Sequence, residues 1–348
     1  MVLGSNIRDG CEIMKLCTTA KLLYENRKSW HDYGVFTSKQ MERAMAVSIE
    51  EAQQVQQIHD RCGIMSVSCF EGEYPDCFRV LPDPPIVLFY KGDLLLLDEP
   101  YRIGIVGSRH PDRDGVMICD NICTTLAQQG IVTVSGLAQG LDSIAHRATL
   151  AAGGKTVAFI GTGLERYYPA SHRELQDEIC RKGCVLSEYH AGQTTFSSSF
   201  LERNRLIAAA SHGVCVMQAQ LKSGSLTTAK KAQEYCKKLF AVPGNITNPL
   251  YDGSNRLIQD GAYPLLSAQD VLISLGLAKR DEKPVRKPKP KLTAIEQKIY
   301  DCIGRESKST NQIFTQTKIP MVQLKALLTK MEMDGVITSQ SAGVYCIK

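Results

Sequence analysis

Between residues 102 and 244 the chain repeats one pattern: a short β-branched apolar run followed by a stretch of helical length. The runs are RIGIVG (102–107), IVTVSG (131–136), TVAFIG (156–161), CVLSEY (184–189), GVCVMQ (213–218) and KLFAVPG (238–244), and segments such as GVMICDNICTTLAQQ and LDSIAHRATLAAG separate them. Runs that are apolar along their whole length belong in strands covered on both faces, and the intervening helices supply the cover. The pattern predicts an α/β fold, an extended Rossmann-like, doubly wound and mainly parallel sheet.

What flanks this core reads differently. Residues 1–65 predict a helical domain: SKQMERAMAVSIEEAQQVQQIHDR has helical periodicity, with Ser48 as N-cap and Glu51 completing a capping box. EYPDCFRVLPDPPIVLFYKGD (73–93) is broken by four Pro and predicts an extended, turning connector, so that connector and core together span 66–278. The Pro/Lys-rich run KRDEKPVRKPKPK (279–291) can be neither helix nor central strand and predicts a tether. Beyond it, residues 292–348 offer three short amphipathic helices and two strands around Ser341–Gly343, the outline of a winged helix. Its third helix sets only Lys325 and Lys330 against Glu332 and Asp334, which leaves DNA and protein equally open as its partner.

Charge is informative through its location. Of 41 Lys and Arg and 36 Asp and Glu, the tether holds seven and two, which leaves 34 of each sign elsewhere. A general basic coat is therefore not how this chain would hold a polyanion; a local pocket of donors is required. The 13 Cys are scattered without a C-x-x-C, and the nearest pairs, Cys119/Cys123 and Cys180/Cys184, have helical spacing. Reduced thiols in a cytoplasmic protein fit better than zinc or disulfides, and neither metal nor cofactor is expected. No apolar run approaches the ~20 residues of a membrane span, and no signal-peptide pattern follows Met1, so membrane insertion is not expected either.

In an open α/β sheet, ligands bind where strands end and helices begin. Those ends here are Gly107-Ser108-Arg109, Ser135-Gly136-Leu137, Gly161-Thr162-Gly163, Lys222-Ser223-Gly224-Ser225 and Pro243-Gly244-Asn245. Glycine lets an oxyanion approach the backbone, hydroxyls add donors, and Arg or Lys supplies the counter-charge, so their convergence predicts phosphate binding. A Walker A loop is excluded: in GGKT (153–156) the first Gly would fall at Thr149, and the stretch precedes a strand. GIVGSR lacks the third Gly of the dinucleotide fingerprint. Asp142 and His146, four apart on a helix, could form a base with its orienting acid; the preferred reading is that Asp142 caps the helix and His146 packs beneath a loop. His190 and His212 have no partner identifiable by spacing. In FLERNR, helical geometry lets at most two of Arg203, Asn204 and Arg205 share one ligand, with Phe200 one turn earlier offering a ring for a base or filling the core. For Arg203 the competing reading is a surface ion pair with Glu202.

The blocks IVGSR, SGLAQGLDSIAHRATLAAGGKTVAFIGTGLERYYP, SEY, FLERNRLIAAAS, KSGSLTTAKKA, FAVPGNI and LIQDGA, in this order across residues 70–270, resemble the DprA/Smf family, the DNA-processing proteins of natural transformation. The resemblance implies a SAM-like helical front end and a core that binds single-stranded DNA, forms a homodimer and loads the RecA recombinase without turning over a substrate. Carried across by motif, the strand-binding set is Arg109, Phe200, Arg203, Asn204, Lys222, Ser223, Gly224 and Ser225, with Ser108, Gly136 and Thr228 nearby. Phe200 would stack on a base, and Arg109 and Lys222 would hold phosphates. Three positions depart from the family pattern: Gln139 stands for Arg, Leu201 for Pro and Gln218 for Glu. The first removes a phosphate contact and the last would make the pocket less hostile to anions. Two alternatives remain. A nucleotide phosphoribohydrolase would need its catalytic Glu where Lys231 stands, and a free-nucleotide sensor would signal through the winged tail.

Overall fold

A computed structural model describes residues 20–34, 37–46, 48–278, 292–304, 306–341 and 343–347; the predicted tether, 279–291, lies outside the described residues. The chain divides into two compact units, Met1–Lys279 and Arg280–Lys348.

The first unit is built on a sheet whose strands are β1 (Met65–Ser68), β2 (Val87–Gly92), β3 (Arg102–Val106), β4 (Val132–Ser135), β5 (Thr156–Phe159), β6 (Cys184–Ser187), β7 (Gly213–Val216), β8 (Lys238–Ala241) and β9 (Tyr263–Pro264). Their spatial order is β1-β2-β6-β5-β4-β3-β7-β8-β9. Strands β3 to β8, which come from the six apolar runs, run parallel, and β9 joins them parallel to β8. Burial shows why those runs carry no alternation. Ile103 and Ile105 of β3 face one apolar layer with Cys119, Ile122, Leu126 and Leu141, while Val106 faces the other with Phe159, Leu206 and Ile207. Helices Arg113–Gln128 and Leu141–Ala151 cover the first face; Ser197–Ala210 and Ser225–Glu234 cover the second.

The Pro-rich connector is part of the sheet and does not merely lead into it. After Pro85 its apolar end becomes β2, antiparallel to β6 with Gly92 opposite Cys184, and β1 pairs antiparallel to β2 in turn. The prolines punctuate the chain before the strand and take no part in its ladder. GGKT lies as predicted between a helix and a strand, with Gly153 at φ 76° and β5 opening at Thr156. Cys119 and Cys123 sit one helical turn apart with Sγ atoms 4.0 Å from each other. Cys180 lies in the last turn of the helix Arg173–Lys182, but Cys184 already belongs to β6, so that pair does not share a helix.

Ahead of the sheet, Ser48 accepts the Glu51 N–H at 3.1 Å and Glu51 accepts the Ser48 N–H at 3.3 Å, which starts the helix Ile49–Cys62 as its sequence implies. His59 near its end is buried against the core, where Nε2 accepts the Ala191 N–H at 3.1 Å and the ring meets Phe89 edge-on at 4.9 Å.

The second unit is the winged helix. Helices Ala294–Ile303, Thr310–Thr317 and Met321–Met333 pack around Ile299, Ile313, Leu324 and Leu328, and strands β10 (Lys308–Ser309), β11 (Ile337–Ser341) and β12 (Val344–Ile347) pair antiparallel in the order β10-β12-β11. Of the two third-helix lysines, Lys330 is committed to Glu296 at 2.8 Å.

Candidate functional site

Strand order places the site. Going outward from β3, the chain fills β4, β5 and β6 on one side and then β7 and β8 on the other, so the direction of winding reverses between β3 and β7. At such a switch point the loops leaving the two strands diverge and open a crevice beyond their carboxyl ends. A cleft of about 480 Å³ lies there, lined by Gly107–His110 from the β3 loop, Lys222–Ser225 from the β7 loop, and Phe200, Arg203 and Asn204 from the helix between β6 and β7.

The β3 loop is clamped from two sides. Ser108 donates its N–H to Gln218 O at 2.8 Å and accepts the Leu141 N–H at 3.1 Å. Gly140, at φ 85°, passes so close beneath that a Cβ there would lie 2.3 Å from Ser108 O and 2.7 Å from the Arg109 carbonyl. With its backbone fixed, Arg109 projects exposed into the cleft. Lys222, on the loop leaving β7, is exposed and lines the same cleft. Among the described residues neither cation forms a salt bridge, so both are free to meet an anion.

The β7 turn differs from the expectation that helix N–H groups point outward. Ser223 N–H bonds Gln220 O at 3.0 Å, Leu226 N–H bonds Ser223 O at 3.1 Å, Thr227 N–H bonds Gly224 O at 3.1 Å, and Ser225 N–H reaches Ser223 Oγ at 3.3 Å. The turn has used these donors internally. What it offers a ligand is the Lys222 ammonium and hydroxyls: Ser223 and Ser225, whose Oγ atoms are 2.7 Å apart, and buried Thr228.

Beneath the cleft lies a charged floor. Arg203 is 4% exposed, which contradicts a surface ion pair; its guanidinium donates to Phe159 O at the end of β5 and packs on Gly136 at the end of β4. Burial lowers its pKa to about 10, so it stays a cation at neutral pH. Asp142 shares the floor. It does not cap its helix, whose N-cap is Gly140; instead its Oδ2 accepts the Gly136 N–H at 3.2 Å and its carboxylate also bonds the Ala138 N–H, stapling the β4 loop. Burial pushes this carboxyl up, against the pull of Arg203, those N–H groups and Arg109. His146 is removed from Asp142: its Nδ1 meets Thr156 Oγ1 at 2.6 Å in the interior.

The remaining predicted residues divide by role. Phe200 is half-buried over Gly161 and lines the cleft. Asn204 sits below the β7 turn and holds it, with Nδ2 2.9 Å from Thr227 Oγ1 and 3.3 Å from Gly224 O. Arg205 points the other way, into a buried pair with Glu188 and, at 3.2 Å, Asp83. Gly136 borders a small adjoining recess with Gln139 and Arg203. The loop Pro243-Gly244-Asn245 lines none of this; its end is closed by Asn255, whose Oδ1 accepts the Gly244 N–H at 3.0 Å. Gln218 is fully buried, with Oε1 3.2 Å from the Asp112 N–H under the helix Arg113–Gln128, so its replacement of an acid does not alter the cleft wall. Lys231 is paired with Glu234 at 2.7 Å and lies outside the cleft lining. His110, Gln220 and Leu250 line the cleft without having been singled out from the sequence, since isolated polar and apolar loop residues carry no periodic signal.

The family described as DNA recombination-mediator protein A matches residues 66–276, and the DprA winged helix domain matches residues 283–343. DNA processing protein DprA of Streptococcus pneumoniae is 44% identical over 207 residues, 60% of this chain and 73% of its own. That of Bacillus subtilis is 38% identical over 213 residues, 61% of this chain and 72% of its own. The crystal structure of DNA processing protein A from S. pneumoniae aligns with a TM-score of 0.69 at 35% identity, covering 78% of this chain and 93% of that one. DNA processing protein A of Helicobacter pylori, described for its single-stranded DNA binding mode, aligns with a TM-score of 0.55 at 36% identity, covering 61% and 95%. The chain belongs to the DprA/Smf family of DNA-processing, recombination-mediator proteins.

Proposed function

We propose that the cleft at the β3/β7 switch point holds consecutive phosphodiesters of single-stranded DNA and leaves them chemically unchanged. The observation that carries this reading is that two exposed, uncommitted cations, Arg109 on the β3 loop and Lys222 on the β7 loop, line one cleft together with the Ser223 and Ser225 hydroxyls and the buried Arg203 cation. Phe200 presents a ring at the same edge, and base–aromatic stacking suits a single strand, whose bases are free to splay, better than a duplex. The enzyme alternative loses its support here: Lys231 stands where that reading needs a general base, and it faces Glu234 instead of the cleft.

On this reading the protein shields the strand and loads RecA recombinase onto it in the cytoplasm. Two copies joined as a homodimer would put two such clefts on one strand and raise its affinity well beyond either alone. Tyr263 in the outer strand β9 and Leu266 just after it are exposed apolar side chains of the late core, suited to that contact. No helix among the described residues is long and apolar enough to cross a membrane.

Competition tests the reading. A labelled oligothymidine should be displaced by unlabelled single strands at far lower concentration than by duplex or by purine mononucleotides, and incubation with the monophosphates should release no free base. Displacement by mononucleotide at equal phosphate concentration would favour the sensor, and release of base the hydrolase.

A further inference from the structure

A second cleft, of about 390 Å³, adjoins the first and is walled by Tyr167, Tyr168, Phe196 and Phe200, with Arg109, Thr162 and Arg166. Arg109 and Phe200 line both clefts, so the two meet at these side chains. Two of the aromatic side chains are displayed where solvent would ordinarily discourage them: Tyr168 is 53% and Phe196 68% exposed. The Tyr168 ring stands 4.8 Å from that of Phe200, tilted by 38°, which extends the aromatic wall beyond the first cleft. Thr162, 5% exposed, contributes a buried Oγ1 that has no hydrogen-bond partner. The cations here are Arg109 and Arg166, the latter partly neutralised by Glu165 at 3.3 Å, so the chemistry is more aromatic than ionic.

We propose that this second cleft is a nucleobase subsite. A base of the same strand, adjacent to the nucleotide at Phe200, stacks on Tyr168 and Phe196. Arg109, common to both clefts, holds the phosphate between the two nucleotides. Stacking of this kind tolerates every base, because each has a π-face, and it adds affinity without adding salt dependence. The inference rests on the single-strand reading of the first cleft, and the test separates the two.

The full chain is titrated with oligothymidines carrying one abasic position, moved along the strand, for the parent protein and for Tyr168→Ala and Phe196→Ala. The parent should lose affinity at two neighbouring abasic positions. Each variant should bind the intact strand roughly 5- to 100-fold more weakly, the size of one stacked base, with an unchanged salt slope, and should become insensitive at one position while keeping the other. Because both rings are more than half exposed, neither supports the core; should an Ala variant melt below the parent, Tyr168→Leu and Phe196→Leu, which keep apolar bulk and lose the ring, decide in its place. If Arg109→Ala and Lys222→Ala weaken binding while the aromatic variants stay within twofold and keep the parental abasic profile, the subsite is overturned and the first cleft stands. If the parent shows no preference for single strands, both readings fall.

Discussion

Arg203 fills the space that a side chain at Gly136 would need: a Cβ on Gly136 would lie 2.0 Å from Nη1 and 2.5 Å from Cζ. The guanidinium cannot swing away freely, since it is buried and anchored on Phe159 O. Substituting Ala for Gly stabilises by ~0.4–1 kcal/mol through the unfolded chain when the site tolerates it, whereas overpacking costs ~1–3 kcal/mol. The contact wins, and Gly136→Ala is expected to be destabilised by ~1–2 kcal/mol in urea titration and to bind single strands more weakly as the cationic floor shifts. A variant as stable as the parent would show that Arg203 is not clamped.

Arg205, two residues on, gives the opposite outcome. Its side chain and that of Glu188 are 6% and 7% exposed, so removing the cation strands a buried carboxylate. Arg205→Met should lose ~3–5 kcal/mol, and Arg205→Met with Glu188→Leu should recover most of it. Strand affinity of the double variant, measured where it is fully folded, should match the parent, because Arg205 does not line the cleft.

The α/β core was legible because its strands are buried on both faces and separated by helices of ordinary length; each of the six apolar runs contains a strand, and these end at Val106, Ser135, Phe159, Ser187, Val216 and Ala241. β2 was hidden behind four prolines that signal turns, and β9 is too short, at two residues with one of them Pro264, to leave any pattern. Within the site, spacing along FLERNR shows that Arg203 and Arg205 diverge but not which one faces the cleft, since Arg203, Asn204 and Arg205 are all buried and the helix has no polar face there. Asp142 shows the same limit: an acid in a first turn reads as a cap, and only the close approach of the β4 loop turns it into a staple for Gly136. Tyr168 and Phe196 lie in loop and helix-entry positions, where an aromatic residue carries no periodic signal at all.

His146 makes stability sensitive to acid. Burial, with Arg203 and His172 nearby, lowers its pKa to about 3, and its ring stays neutral against Thr156. A histidine whose folded pKa lies below its unfolded value of ~6.5 gives stability that is present above that value and lost as pH falls toward the folded one. Between about pH 6.5 and 4.5 the parent should lose up to ~1.4 kcal/mol per pH unit from this group, and His146→Gln should lack that share of the slope. Glu188, pushed up to about 7 by burial, acts in the reverse sense over the same interval, losing stability as pH rises. It does so in both proteins, so the difference between their urea midpoints at pH 7.5, 6.5 and 5.5 isolates His146.

The central claim, that Arg109 and Lys222 grip the phosphates of one strand, is tested most directly by affinity as a function of salt. Each phosphate neutralised on a single strand contributes ~0.7 to the slope of log K against log salt. Arg109→Ala and Lys222→Ala should each weaken oligothymidine binding and flatten that slope by ~0.7, and the double variant by ~1.4, with duplex bound poorly throughout. Unchanged slopes and affinities in both single variants, or a duplex held as tightly as the single strand, would contradict the account.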